Sequence, residues 1–344
     1  MKGIKSLAQE LNISIGTVSR ALNGKPDVSE ETRKRVLEGA AAMGYVPNQA
    51  GRSLRRGNTN AIGFVFESST GATGYGDTFF LDVFAGVQTV LSRHHLDLVV
   101  LPCPHDEDPT DYVQRVIARR MVDGLIISAT RRKDARIEML NKSGIPFVAF
   151  GRSQTPGSYP WVDLDFEGVA NHAVDRLVAA GHRRIAVAAP SNDINLGFVY
   201  LEGFRNALQR HRIPFDPNLV LRVASSEEGG YQLGHDLLRL PERPSAVVLT
   251  NEMTAIGLYR RLGEAGVRPG RDLAVVNFRE SRLSRFMSPT LTSFRISLPT
   301  VGVTLGEALL ASMPEHAEHY PMGLVHRVLP MELIEGESDA LPVT

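Results

Sequence analysis

Apolar residues change spacing once along the chain. In the first forty-odd positions they are spaced for helices. Ile4, Leu7, Ala8 and Leu11 recur at i, i+3, i+4 and i+7 and predict a first helix ending near Asn12. Val18, Ala21 and Leu22 make one stripe of a second helix, whose first turn Ser14 can cap. The other face of that helix, Ile15, Gly16, Thr17, Ser19, Arg20 and Asn23, is small, polar or basic. A third helix is predicted from Ser29. Glu30 and Glu31 lie at its positive end, Val36, Ala40 and Met43 form its buried face, and Gly44 is its stop. Two short amphipathic helices joined by a tight turn, the second carrying Thr, Ser and Arg outward, form a helix-turn-helix pattern. An ordinary pair of packed helices is the alternative.

Asn48 to Gly57, reading NQAGRSLRRG, holds one large apolar residue, Leu54, among small and basic neighbours. Such a piece buries too little surface to hold a helix alone and reads as a linker. From Asn60 short apolar runs alternate with helical patterns. Strands are predicted at 61–66, 96–102, 122–128 and 146–150, with helices at 79–94, 110–120 and 133–142 between them. Near Trp161 the pattern restarts. Helices at 166–180, 196–210, 228–240 and 253–265 precede strands at 184–189, 220–223, 246–249 and 273–278. Strands apolar on both faces imply parallel sheets covered on both sides. Two doubly wound units side by side place a ligand cleft at the carboxyl ends of their strands.

The chain of 344 residues has a formal net charge of +0, which says nothing about nucleic acid until its distribution is read. Residues 1–60 carry ten Lys and Arg against five Asp and Glu, so the remainder carries an equal acidic excess. A basic head on an acidic body is the electrostatic footprint of a DNA-binding module attached to something else. The single cysteine, Cys103, excludes an internal disulfide and fits a reducing compartment. With no apolar leader and no run of membrane-spanning length, a cytoplasmic protein without membrane partners is expected.

Specific motifs narrow this picture. Thr17–Gly24 (TVSRALNG), Gly44–Asn48 (GYVPN), Val122–Ile127 (VDGLII), Gly181–Val187 (GHRRIAV), Asn251–Gly257 (NEMTAIG), Pro289–Phe294 (PTLTSF) and Leu329–Leu333 (LPMEL) occur in this order. Together they make the chain resemble the LacI/GalR family of bacterial transcriptional repressors over nearly its full length. The resemblance implies an all-α helix-turn-helix domain at 1–47 and a hinge at 48–59. It implies an α/β core at 60–344 of two periplasmic-binding-protein-like subdomains, the first about 60–160 and 292–320, the second about 161–291 and 321–344. It implies a homodimer on a pseudo-palindromic double-stranded operator, controlling carbohydrate-metabolism genes through a sugar-like effector, with no cofactor and no metal. Ile15, Gly16 and Arg20 stand at the family's base-reading positions, and Thr17, Ser19 and Asn23 suit phosphates. Arg20 has the fork geometry for guanine, worth roughly 1–3 kcal/mol of discrimination. In the family, Asn48–Arg56 folds into a hinge helix on DNA. Asn48, Arg52, Leu54 and Arg55 then meet the minor groove, with Leu54 as the wedge.

Effector-binding positions carry over onto Phe79, Phe80, Arg152, Asn195, Tyr200, Asn251 and Arg279. Tyr200 stands where relatives that bind neutral sugars have Arg, Arg279 where they have Asp, and Ile296 where a polar contact is common. One reading is that Arg279, with Arg152, binds an anionic group of a sugar acid or sugar phosphate, Tyr200 adding stacking and a hydroxyl. The other is that Arg279 pairs with Asp165, Glu252 or Glu280 and the ligand is a neutral glycoside. An enzyme is disfavoured: His94, His95, His182, His316 and His319 form no H-E-x-x-H, and Gly71, Gly74 and Gly76 do not match G-x-G-x-x-G. A sugar-binding receptor without DNA regulation would lack residues 1–57. The tail from Glu335 has no leucine heptad, so a dimer and no coiled-coil tetramer is expected.

Overall fold

The computed structural model describes residues 3–22, 24–45, 58–67 and 79–339. It divides into two compact units, Met1–Thr59 and Asn60–Thr344.

Among its described residues the first unit holds three helices, α1 (Ile4–Glu10), α2 (Ile15–Leu22) and α3 (Glu30–Ala42). Their apolar stripes meet in a small core of Leu7, Ala8, Val18, Ala21, Val28, Val36 and Ala40. The helix starts are capped as the sequence leads one to expect. Thr17 donates its backbone N–H to Ser14 Oγ at 3.0 Å, and Thr32 to Ser29 Oγ at 3.3 Å. Glu30 and Glu31 occupy the first turn of α3, and Gly44 ends that helix region at φ +59°. α1 stops two residues before Asn12, which turns the chain at φ 50°.

The second unit holds two parallel sheets. The first has the order β11-β5-β4-β3-β1-β2, with β1 (Ala61–Glu67), β2 (Asp97–Cys103), β3 (Gly124–Ile127), β4 (Phe147–Phe150), β5 (Trp161–Leu164) and β11 (His326–Leu329). One of its faces, through Ile62, Phe64, Ile126 and Val148, packs on α4 (Phe79–Leu91) and α11 (Leu298–Ala311). The other, through Val65, Leu125, Ile127 and Ala149, packs on α5 (Pro109–Ala118) and α6 (Ala135–Ser143). Alternate residues of one strand thus feed two cores, which is why these strands read as unbroken apolar runs.

The second sheet has the order β7-β6-β8-β9, from β6 (Ile185–Pro190), β7 (Val220–Val223), β8 (Ala246–Leu249) and β9 (Ala274–Asn277). α7 (Phe166–Ala179) and α8 (Asn195–Arg210) cover one face, and α9 (Glu227–Arg239) and α10 (Glu252–Glu264) the other. An antiparallel pair, β10 (Ser293–Arg295) and β12 (Glu332–Ile334), lies alongside β9, whose Asn277 donates its N–H to Thr292 O at 2.9 Å. The expected class, a helix-turn-helix unit before a core of two doubly wound parallel sheets, is the one observed.

The division between subdomains differs from the sequence reading. The first sheet keeps the chain through Leu164 and takes back His326–Leu329, residues that the reading gave to the second subdomain. The chain passes between the sheets at 164–166, 295–298 and 329–332. β11 is an edge strand with three of its four residues exposed, so it carries no apolar run to reveal it. Among the described residues, no helix is long and apolar enough to cross a membrane.

Candidate functional site

Two surfaces gather the residues singled out above. The first is the outer face of α2. Ile15, Gly16 and Arg20 are exposed there, and Thr17 and Ser19 are half-buried beside them. The helix is held by the stripe of Val18 and Ala21, both buried, so this face is free to meet a groove. Arg20 pairs loosely with Asp27, Nε to Oδ2 at 3.5 Å, and its side chain stays 53% exposed. Asn23, Asn48, Arg52, Leu54 and Arg55 lie outside the described residues.

The second surface is a cleft of about 660 Å³ in the core. Its walls are the residues that follow strand ends: Thr130 and Arg131 after β3, Arg152 after β4, Asn251 after β8 and Arg279 after β9. Parallel strands with helices on both faces aim their carboxyl ends at one crevice, and this is that crevice. Aromatic rings make the apolar part. Phe79 and Phe80 begin α4, and Phe79 stacks on Phe150 with centroids 6.0 Å apart. Phe166 stacks on Phe278 at 4.5 Å.

The arginines of the cleft are paired. Arg279, 10% exposed in its side chain, bonds the Glu252 carboxylate and lies 4.9 Å above the Phe79 ring. Arg152 donates from Nε to Asp163 at 2.9 Å and from Nη1 to Glu167 at 2.8 Å. Arg131 holds the Glu67 carboxylate with both Nη atoms and approaches Asp193 at 3.6 Å. Burial pushes the Asp163 carboxyl up to about 6, with Arg152 drawing it back down. Burial on this scale requires such pairing, because an isolated charge here would be costly.

Five of the seven positions carried over from the family, Phe79, Phe80, Arg152, Asn251 and Arg279, line this cleft. Asn195 and Tyr200 do not. Asn195, 5% exposed, joins the two sheets' lobes: its backbone N–H reaches Thr130 O and its Nδ2 reaches Arg152 O, each at 2.8 Å. Tyr200 is fully buried behind the wall. It donates to Leu249 O at 3.4 Å and sets its ring edge against Phe278, so it offers a ligand neither stacking nor a hydroxyl. Desolvation there pushes its phenol well above the usual range. Position along the helix placed it near the cleft, but only packing decides which side of Phe278 it occupies. Ile296 packs against the core. Asn251 accepts the Met253 N–H at 2.8 Å and so caps α10 at the cleft wall.

Glu67, Arg131 and the Phe166–Phe278 pair belong to the cleft and were not anticipated. The signal was present: each sits at or just past a strand's carboxyl end. Among the other candidates, His182 bonds Ser245 Oγ at 2.9 Å inside a buried turn. His94 bonds the Tyr320 hydroxyl at 2.8 Å beside His316 and His319. Among the described residues no group of three His, Cys, Asp or Glu is arranged to hold a metal.

The comparisons with known proteins cover both units. The model of bacterial regulatory proteins of the lacI family matches residues 3–48, and that of the periplasmic binding protein-like domain matches residues 174–338. The HTH-type transcriptional regulator AglR of Rhizobium meliloti (strain 1021) is 34% identical over 322 residues, covering 92% of this chain and 89% of AglR. The HTH-type transcriptional regulator RafR of Escherichia coli is 34% identical over 269 residues, 78% of this chain and 79% of RafR. A solved complex of the transcriptional regulator CelR with cellobiose has a TM-score of 0.72 and 26% identity, covering 98% of this chain and 100% of that one.

Proposed function

The chain belongs to the lacI family of bacterial regulatory proteins, a transcriptional regulator and not an enzyme, and on that premise we propose that it is a homodimeric repressor released or strengthened by a neutral carbohydrate in the core cleft. The single observation that carries the choice of ligand is the pairing of Arg131, Arg152 and Arg279 with carboxylates. A cleft whose cations are already neutralised gains little from an anion, which would have to displace Glu252 or Asp163. A polyol uses the same groups as they stand. It can donate to the carboxylates, accept from the guanidinium edges and lay its apolar face on the Phe79 and Phe278 rings. A volume of about 660 Å³ falls within the usual range for small-molecule sites. CelR, solved with cellobiose, supports the sugar class.

On the DNA side, Ile15 and Arg20 read base edges in the major groove, Gly16 leaves that groove open, and Thr17, Ser19 and Asn23 hold phosphates. Two copies place their α2 helices about one helical turn apart on a pseudo-palindrome. Residues 48–59 form the hinge between the head at 1–47 and the core, with Leu54 as a minor-groove wedge and Asn48, Arg52 and Arg55 flanking it. The second copy is supported by exposed apolar surface on the core, where Phe286 is 88% and Leu283 41% exposed. The protein acts in the cytoplasm, where its operators are.

The test is operator selection from random duplexes, followed by calorimetric titration of neutral di- and trisaccharides against their acid or phosphate counterparts. Tighter binding of a neutral sugar, with a change in operator affinity, supports the reading. Tighter binding of the anion returns Arg279 to the role of anion receptor.

A further inference from the structure

The loop after α2 holds an acid beside the one cation on the outer face of that helix. Asp27 Oδ2 stands 3.5 Å from Arg20 Nε. The loop that presents it is anchored twice at Lys25, which donates its N–H to Arg20 O at 3.1 Å and accepts from Arg33 Nη2 at 3.0 Å. Val28, the next residue, is buried in the three-helix core. Gly16 lies one turn earlier in α2. A Cβ built there would come within 3.8 Å of Arg20 Nη2 and 3.5 Å of Ser14 Oγ. One end of the guanidinium is thus within van der Waals reach of the Gly16 position, and its Nε faces a carboxylate.

We infer that Asp27 is a positioning residue for Arg20. This rests on the reading of α2 as the base-reading helix. Two parallel N–H groups must meet guanine O6 and N7 together. A free Arg at this place has many rotamers, and several lead its charge to a phosphate, where it carries no sequence information. Asp27 meets Arg20 at Nε and leaves both Nη groups outside that ion pair. Its negative charge also repels a phosphate that tries to take Arg20 along the backbone. Asp27 thus trades general affinity for discrimination at one base pair.

The experiment uses the full chain and a selected operator, with each base pair of one half-site substituted in turn. Asp27→Asn keeps the shape of the side chain and removes its charge. Preference at the base pair lost in Arg20→Ala should fall about tenfold, within the range for one bidentate contact, while preferences at other positions hold. Glu38→Gln, on the exposed side of α3, is the control for charge alone: it should raise binding to scrambled DNA without touching any one base pair. Asp27→Glu should restore part of the preference. In an Arg20→Ala background, Asp27→Asn should leave every preference unmoved. If Asp27→Asn weakens preference evenly over the half-site, or matches Glu38→Gln, the positioning role is wrong. If Arg20→Ala itself leaves base preference intact, the fault lies with the reading of α2, and the role of Asp27 falls with it.

Discussion

The arginines of the head and of the core obey opposite rules. Arg20 stands half in water with one carboxylate at the edge of ion-pair range. Arg279 and Arg152 are largely withdrawn from water and held by short, charge-assisted bonds to Glu252, Asp163 and Glu167. An exposed pair contributes about 0–1 kcal/mol, so Asp27 biases the Arg20 side chain without closing it to a further partner. A buried pair costs about 3–5 kcal/mol to break from one side, so the cleft arginines are fixtures. The head leaves its cation open to a further partner and the cleft closes its cations off, and that difference bears on which ligand each accepts.

Removing Glu252 breaks the comparison most severely. Glu252→Ala leaves Arg279 buried beside Phe79 with its carboxylate gone, and should cost the core about 3–5 kcal/mol in denaturant unfolding. An unchanged midpoint would mean that the pair is not closed in solution.

Asp163 tests the same burial by pH. Its carboxyl sits at about 6 in the fold against 3.8 when unfolded, so the native state binds the proton more tightly. That contribution is complete below the unfolded value and is lost as pH rises through about 6. The span is worth roughly 3 kcal/mol. Unfolding free energy measured from pH 4 to 7 should show this decline, and Asp163→Asn should remove it. A parallel decline in the variant would place the titration elsewhere.

Arg20→Ala probes the exposed side of the comparison. It should lower operator affinity by about 1–3 kcal/mol and relax one base pair, with the thermal midpoint unmoved. Loss of stability in step with affinity would show a structural residue instead of a reader.

The smallest expected effect is at Asn195, where two hydrogen bonds tie the lobes. Asn195→Ala keeps the backbone bond to Thr130 and loses the one to Arg152, worth about 1 kcal/mol. It should weaken effector binding severalfold and raise the radius of gyration of the free core in X-ray scattering. Unchanged values for both would assign Asn195 no part in closure.

Much of this was legible in the sequence, for physical reasons that differ by region. The three-helix head shows through because its stripes are local and its caps, Ser14 and Ser29, lie next to what they cap. Sheet strands buried on both faces show through because each is an apolar run. β11 escaped because an edge strand need not be apolar, and β5 because its four residues include Asp163. In the cleft, Phe79 and Arg279 could be named from the family resemblance, and Glu252 stood among three possible partners of Arg279, but the sequence could not choose between them. Glu252 meets Arg279 from the far end of a βαβ connection, and Tyr200 is excluded by the ring in front of it. Pairing and occlusion are tertiary facts, and only the fold supplies them.

The central claim is met most directly by fluorescence anisotropy of a labelled operator bound to the protein, titrated with neutral oligosaccharides and, separately, with sugar acids and sugar phosphates. A neutral sugar should shift the operator dissociation constant by at least tenfold while the charged sugars leave it in place. A shift produced by the charged sugars alone would contradict the paired-arginine cleft on which the account stands.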